Sequence, residues 1–141
     1  RPSLNLEISG CYSKVQDGPA LKLQQIKRKV NSENEALSAK KYLDLLIQYY
    51  QQSKQKKPVL ADNLNMNTPK PLEQHIFKLE QDLILAEVLN VGVYQKLAHD
   101  RHNVIEQALI QSGLIASERL ISTGINELAT KKKLECELKL H

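Results

Sequence analysis

The stretch LEQHIFKLEQDLILAEVLNVGVYQKL, residues 72–97, decides how the chain reads. Within it Leu72, Ile76, Leu79, Leu83, Ala86, Asn90, Val93 and Leu97 follow one another at alternating spacings of four and three. A heptad of this kind turns one stripe of a long helix toward a partner helix, and a lone amide in the seam, here Asn90, fixes register or oligomeric state. Between Leu83 and Val93 only Glu87, Asn90 and Gly92 interrupt Leu, Ile, Val and Ala. A helix that is apolar on nearly every face must be covered from several sides. The spacing therefore predicts one helix from Pro71 to His99, ~43 Å long at a rise of ~1.5 Å per residue. It would lie at the centre of a bundle or between chains, with Leu83, Ile84, Leu85, Val88 and Leu89 buried.

Helical patterns continue on both sides. Toward the N-terminus, Ser32 and Glu35 have capping-box spacing. The helix that follows, to about Gln55, gathers Ala39, Tyr42, Leu43, Leu46, Tyr49 and Tyr50 on one face and Lys40, Lys41, Asp44 and Gln48 on the other. An earlier helix opens at Asp17-Gly18-Pro19, where proline suits a first turn, and carries Leu23, Ile26 and Val30 inward. Toward the C-terminus Asp100 reads as an N-cap, which makes His99 to His102 a corner. Beyond Gly113, Leu114, Ser117, Ile121, Gly124 and Leu128 repeat the four/three spacing as a second seam. The alternation Leu4, Leu6, Ile8 is strand-like, but being short and alone it predicts an extended arm packed on the helices.

The expected fold is all-α, an elongated antiparallel helical bundle of three long helices with coiled-coil-like seams, or four to five helices if the chain turns at Asn31 and Gly113. Residues 1–18 form the arm, 19–141 the bundle domain, and 56–71, with Pro58, Pro69 and Pro71, the linker between antiparallel helices. The composition agrees with this reading. In 141 residues there are five Gly, five Pro, five Tyr, one Phe and no Trp, which suits long helices around an aliphatic core. A chain of this length can bury such a core without metals or disulfides.

The net charge of +4 is unevenly spread. Residues 1–70 hold twelve Lys/Arg against six Asp/Glu, whereas 71–141 hold eight against ten. The basic excess collects at Lys27, Arg28 and Lys29, at Lys40 and Lys41, and at Lys54, Lys56 and Lys57. Charge runs generally face water, but this one could also engage an anionic partner such as an acidic membrane surface or nucleic acid. No aromatic residues interleave with the cations on a strand, which disfavours a single-strand stacking platform.

Little in the sequence carries chemistry. Cys11 and Cys136 lie far apart without CxxC pairing, which fits no zinc framework and suggests isolated thiols in a reducing, intracellular compartment, cytoplasmic or nuclear. The chain opens on Arg1 with no apolar signal segment, which suggests a piece cut from something larger, and no run approaches the ~20 apolar residues of a membrane span. His99, His102 and Glu106 are spaced to share a helical face, but a cap at Asp100 would separate the histidines, and no Glu-x-x-His occurs. GxGxxG, GxxxxGK[ST], HExxH and GxSxG are all absent. Glu87, Asn90 and Tyr94 share one side of the apolar helix and suggest a small polar group fixing register. No catalytic residue, metal, cofactor or small-molecule substrate is expected.

The sequence thus favours a non-enzymatic helical protein-protein interaction module, a scaffold domain or subunit of a larger assembly. Its partner would be another protein or a second copy, held through Leu83, Leu85, Leu89, Asn90, Val93, Leu97, Leu114, Ile121 and Leu128. The alternative is an anion-binding module that uses Lys27, Arg28, Lys29, Lys40 and Lys41.

Overall fold

A computed structural model describes residues 4–31, 36–54, 69–128 and 138–140. In order, the chain forms β1 (Leu6–Tyr12), α1 (Lys14–Val30), α2 (Ala39–Lys54), α3 (Pro69–Ala86), α4 (Val91–Gln111), a short 3-10 turn (Ser117–Arg119), β2 (Leu120–Glu127) and β3 (Leu138–Leu140). The protein is mixed α/β, and the expected all-α bundle is overturned by a three-stranded sheet of order β2-β1-β3. β1 runs parallel to β2 and antiparallel to β3. Two compact units result. One combines residues 4–19 with 89–128 and β3, and the other is Ala20–Val88, so α1 contributes to both.

The first unit is built on β1. Leu6 and Ile8 of the Leu4, Leu6, Ile8 alternation belong to this strand and not to an arm, with Leu4 exposed just before it, because partners more than a hundred residues away complete the strand's hydrogen bonding. Helix α4 lies on the sheet and buries Tyr94, Ala98 and His102, spaced one turn apart. At the crossing a Cβ on Gly10 would come within 2.4 Å of the Ala98 carbonyl oxygen and 2.9 Å of its carbon, so helix and strand backbones meet where only glycine fits. Two residues further on, Tyr12 stacks on Tyr94 with ring centroids 5.4 Å apart.

Residues 120–127, expected as the second helical seam, are strand β2. Ile121, Thr123 and Ile125 are β-branched, and the strand's pairing with β1 outweighs the four/three spacing. The register slips between Ile8, opposite Ser122, and Gly10, opposite Ile125. The extra β2 residue is taken up at Gly124, whose φ of 98° is open to glycine. Leu114 and Ile121 are exposed, and Leu128 is half-buried.

In the second unit, the later turns of α1 join α2 and α3 around Ile26, Leu43, Leu46, Tyr50, Leu72, Leu79, Leu83 and Ile84. Leu72, Leu79 and Leu83 are therefore buried as the heptad requires. The single helix from Pro71 to His99 is corrected: it is interrupted at residues 87–90. Asn90 takes extended backbone, and its Oδ1 accepts from Gly92 N at 2.9 Å, so the presumed seam amide is the N-cap of α4. Leu85 and Val88 point to solvent at 85 % and 81 % exposure, contrary to expectation, because Leu85 lies on the side of α3 away from the described helical core and Val88 follows the end of the helix.

The other helix ends are also set by short side chains. Ser13 starts α1 earlier than the Asp17-Gly18-Pro19 reading, accepting from Gln16 N at 3.2 Å, and Pro19 lies inside the helix. Ser38 Oγ accepts from Lys41 N at the start of α2. α4 ends at Gln111, followed by Gly113 in left-handed backbone (φ 70°), so the helix stops there instead of bending. His99 and His102 both lie within α4, so the corner expected at Asp100 is absent. The Ser32/Glu35 capping box, most of the 56–71 linker, Lys56, Lys57 and Cys136 fall outside the described residues.

Gly10→Ala should lower stability by about 1–3 kcal/mol, the usual range for overpacking, because the clash is with backbone that has nowhere to move. Gly92→Ala, whose Cβ would meet nothing closer than 3.5 Å, should leave stability equal or slightly raised. Urea unfolding of the two variants makes the comparison.

Candidate interaction surface and polar clusters

Three arrangements bring charged or apolar side chains together. In the first unit, Arg101 grips Asp17 with both ends of its fork, Nη2 donating to Oδ1 at 2.7 Å and Nη1 to Oδ2 at 2.9 Å. Nη1 also donates to the Cys11 carbonyl at 3.1 Å, and Asp17 Oδ2 accepts from Ser13 N at 2.8 Å. The end of β1, the start of α1 and the middle of α4 thus share one bidentate pair. Burial alone would raise the Asp17 carboxyl. The hydrogen bonds from Arg101 and Ser13 and the Arg101 charge outweigh it and hold the group below its ordinary value.

In the second unit, Glu87 is nearly enclosed. Its Oε1 accepts from Lys29 Nζ and Gln25 Nε2, both at 2.5 Å, and its Oε2 from the Tyr49 hydroxyl at 3.3 Å. Burial pushes this carboxyl up, and the bonds from Lys29 and Gln25 more than reverse the effect, leaving it lowered. Lys29 is raised in turn, chiefly by its hydrogen bond to Glu87. Glu87, Asn90 and Tyr94 therefore form no common polar group, since one anchors α1, one caps α4 and one packs on β1.

The third arrangement lies among Ala20–Val88, where α1, the start of α2 and α3 frame a cleft of about 570 Å³ rimmed by Lys27 and Arg28. Tyr42 lines it. The Tyr42 hydroxyl is shut from solvent and closes no well-formed hydrogen bond among the described residues, and its acidity is weakened first by burial and then by the charge of nearby Glu80. Glu80 is itself raised by burial, against the opposing pull of Lys27.

The residues singled out from the sequence are distributed as follows. Leu83 is in the helical core, Leu85 on the outside of α3, and Leu89 half-buried between α3 and α4 in sequence. Val93 and Leu97 are half-buried on α4. Of the basic group, Lys29 is committed to Glu87, whereas Lys27, Arg28, Lys40 and Lys41 are exposed. Lys54 lies over the Tyr50 ring at 4.8 Å. His102 Nε2 stands 3.3 Å from Glu106 Oε2, while His99 is exposed. Among the described residues no three His, Cys, Asp or Glu side chains converge as a metal site. Cys11 is disulfide-bonded, which corrects its reading as an isolated thiol. Among those residues, no helix is long and apolar enough to cross a membrane.

Spacing along one helix could not have found the partners of Glu87 and Asp17, which come from other helices. The exposed apolar residues at the end of α3 and just beyond it are not legible in the spacing, which assigns Leu85 and Val88 to a core. Comparison with protein-family models, with curated proteins and with solved structures finds no match.

Both lowered carboxylates contribute stability that is complete above their unfolded values, ~4, and lost as the pH falls through the lower folded values. The thermal unfolding midpoint should therefore fall below about pH 4, and less steeply in Glu87→Gln. Arg101→Met should cost about 3 kcal/mol at neutral pH by stranding Asp17, and Asp17→Asn added to it should recover a substantial part.

Proposed function

We propose that the chain is a non-enzymatic protein-interaction module, a domain or subunit that holds a protein partner or a second copy of itself within a larger assembly. The observation that carries this reading is the outer side of α3. Phe77 and Leu85 project there at 65 % and 85 % exposure, and Val88 follows just past the helix end. At ~100° per residue Phe77 and Leu85, eight residues apart, fall about 80° from one another on α3. Isolated exposed apolar residues such as Val104 on α4 are ordinary on a protein surface, but two large ones on one side of α3 with a third just beyond its end support a contact surface there. The best-formed polar clusters, Arg101 with Asp17 and Lys29 with Glu87, are engaged in joining secondary structures.

A second reading is that the basic N-terminal half meets an acidic membrane or nucleic acid. It is supported by Lys27 and Arg28, which close no salt bridge among the described residues. It is weakened by Lys29, whose charge is spent on Glu87. The disulfide at Cys11 favours an oxidising compartment over the reducing one expected from the sequence.

Native mass determination and photo-crosslinking from position 77 test the interaction module. A contact made through apolar side chains should survive high salt, unlike one between exposed charges. Leu85→Asp should abolish it while the melting temperature stays unchanged, because the side chain is already in water. Leu83→Ala, by contrast, should cost about 2–5 kcal/mol through loss of core packing. A chain that stays monomeric and yields no crosslink sensitive to Leu85→Asp would refute the proposal.

A further inference from the structure

We propose that the cleft between α1, the start of α2 and α3 binds a small amphipathic anion, one phosphate or carboxylate group carried on an apolar body. This inference is independent of the interaction surface on α3. The cleft volume of about 570 Å³ falls in the range of small-ligand sites, ~300–1,000 Å³. Its two kinds of lining match the two ends of such a molecule. Lys27 and Arg28, successive residues in the last turn of α1, stand at the rim with the Gln24 amide one turn earlier. Leu37, Ile76 and the Tyr42 ring supply apolar wall.

The cations are available to a ligand. Neither Lys27 nor Arg28 forms a salt bridge among the described residues, in contrast to Lys29 beside them. Lys27 feels the Glu80 carboxylate, which leaves Arg28 as the less encumbered of the two. A guanidinium fork donates to two oxygens of a phosphate or carboxylate at once, and a neighbouring ammonium adds a point charge. Two adjacent cations at one mouth suit a single headgroup. A polyanion instead gains affinity from many phosphate contacts spread along a surface.

Half-buried Leu37 and Ile76 then give the tail somewhere to go. Covering them removes apolar area from water at ~25 cal/mol per Å². The apolar wall is what should separate an amphiphile from a bare ion.

The test is an amide-resolved NMR titration of the whole chain with decyl phosphate, decanoate, inorganic phosphate and decyltrimethylammonium, the amphiphiles kept below their micelle concentrations. Decyl phosphate and decanoate should shift residues 24–28, 39–42 and 76 in a saturable way, and their relative affinities identify the preferred headgroup. Inorganic phosphate should bind about tenfold or more weakly, and the cationic amphiphile should leave these residues unmoved. Lys27→Gln with Arg28→Gln, two exposed substitutions, should keep the melting temperature and weaken decyl phosphate by about tenfold or more, the loss of one or two charge-assisted hydrogen bonds. Equal binding of the cationic amphiphile, unchanged affinity in the double variant, or no saturable shift in these residues would overturn the proposal. Shifts confined to Phe77, Leu85 and Val88 would also overturn it, because they would place the tail on the α3 surface.

Discussion

The bidentate pair between Arg101 and Asp17 is the interaction on which the sheet-bearing unit depends. It joins the end of β1 at Cys11 and the adjoining start of α1 at Ser13 to the middle of α4, 90 positions from Cys11. Neither ion could be enclosed alone, since an isolated buried charge is far costlier than a paired one. Each therefore requires the other, and α4 can lie on β1 in one arrangement only. Gly10 under Ala98 then sets how deep that arrangement goes. Electrostatics fixes where the helix crosses, and the missing side chain lets it approach.

The helical unit uses the same device differently. Glu87, just beyond α3, is held by Lys29 and Gln25 from α1 and by Tyr49 from α2. Three helices whose cores are otherwise generic Leu and Ile are thereby tied at one point by a directional group. The carboxylate is satisfied so fully that it leaves Lys29 unavailable to outside ligands, while Lys27 and Arg28, one turn or less away, close no salt bridge among the described residues. Neighbouring cations in one basic run thus have separate roles, which a count of charges does not distinguish.

What could be read from the sequence follows the range of the interactions. Leu72, Leu79 and Leu83 are core residues, as their spacing implies, whereas Ala86 in the same series is exposed, and Leu6 and Ile8 of the Leu4, Leu6, Ile8 alternation lie in a true strand. The strand was discounted because its partners, Leu120–Glu127 and Leu138–Leu140, are remote in sequence. Ile121, Thr123 and Ile125 carried the β signal, but a four/three spacing through small residues matched a helical template equally well. Asn90 misled in another way. Its amide fits a seam, yet Asn-Val-Gly is also a capping sequence, and the local bond to Gly92 prevailed over continuation of the helix. Of the candidate sites, Lys27 and Arg28 were visible as charge, whereas the cleft beside them depends on how three helices meet.

The order of strands along the chain has a consequence for how the protein acquires its structure. Ala20–Val88 is contiguous, and its contacts can form as soon as that segment exists. β1 precedes the helical segment but pairs in parallel with Leu120–Glu127, which follow it, and the Thr123 hydroxyl reaches the Ile8 carbonyl across 115 positions. Closing so long a loop is entropically slow. During synthesis the helical segment can therefore mature while the first strand waits, its apolar face unpaired until nearly the whole described chain has been made.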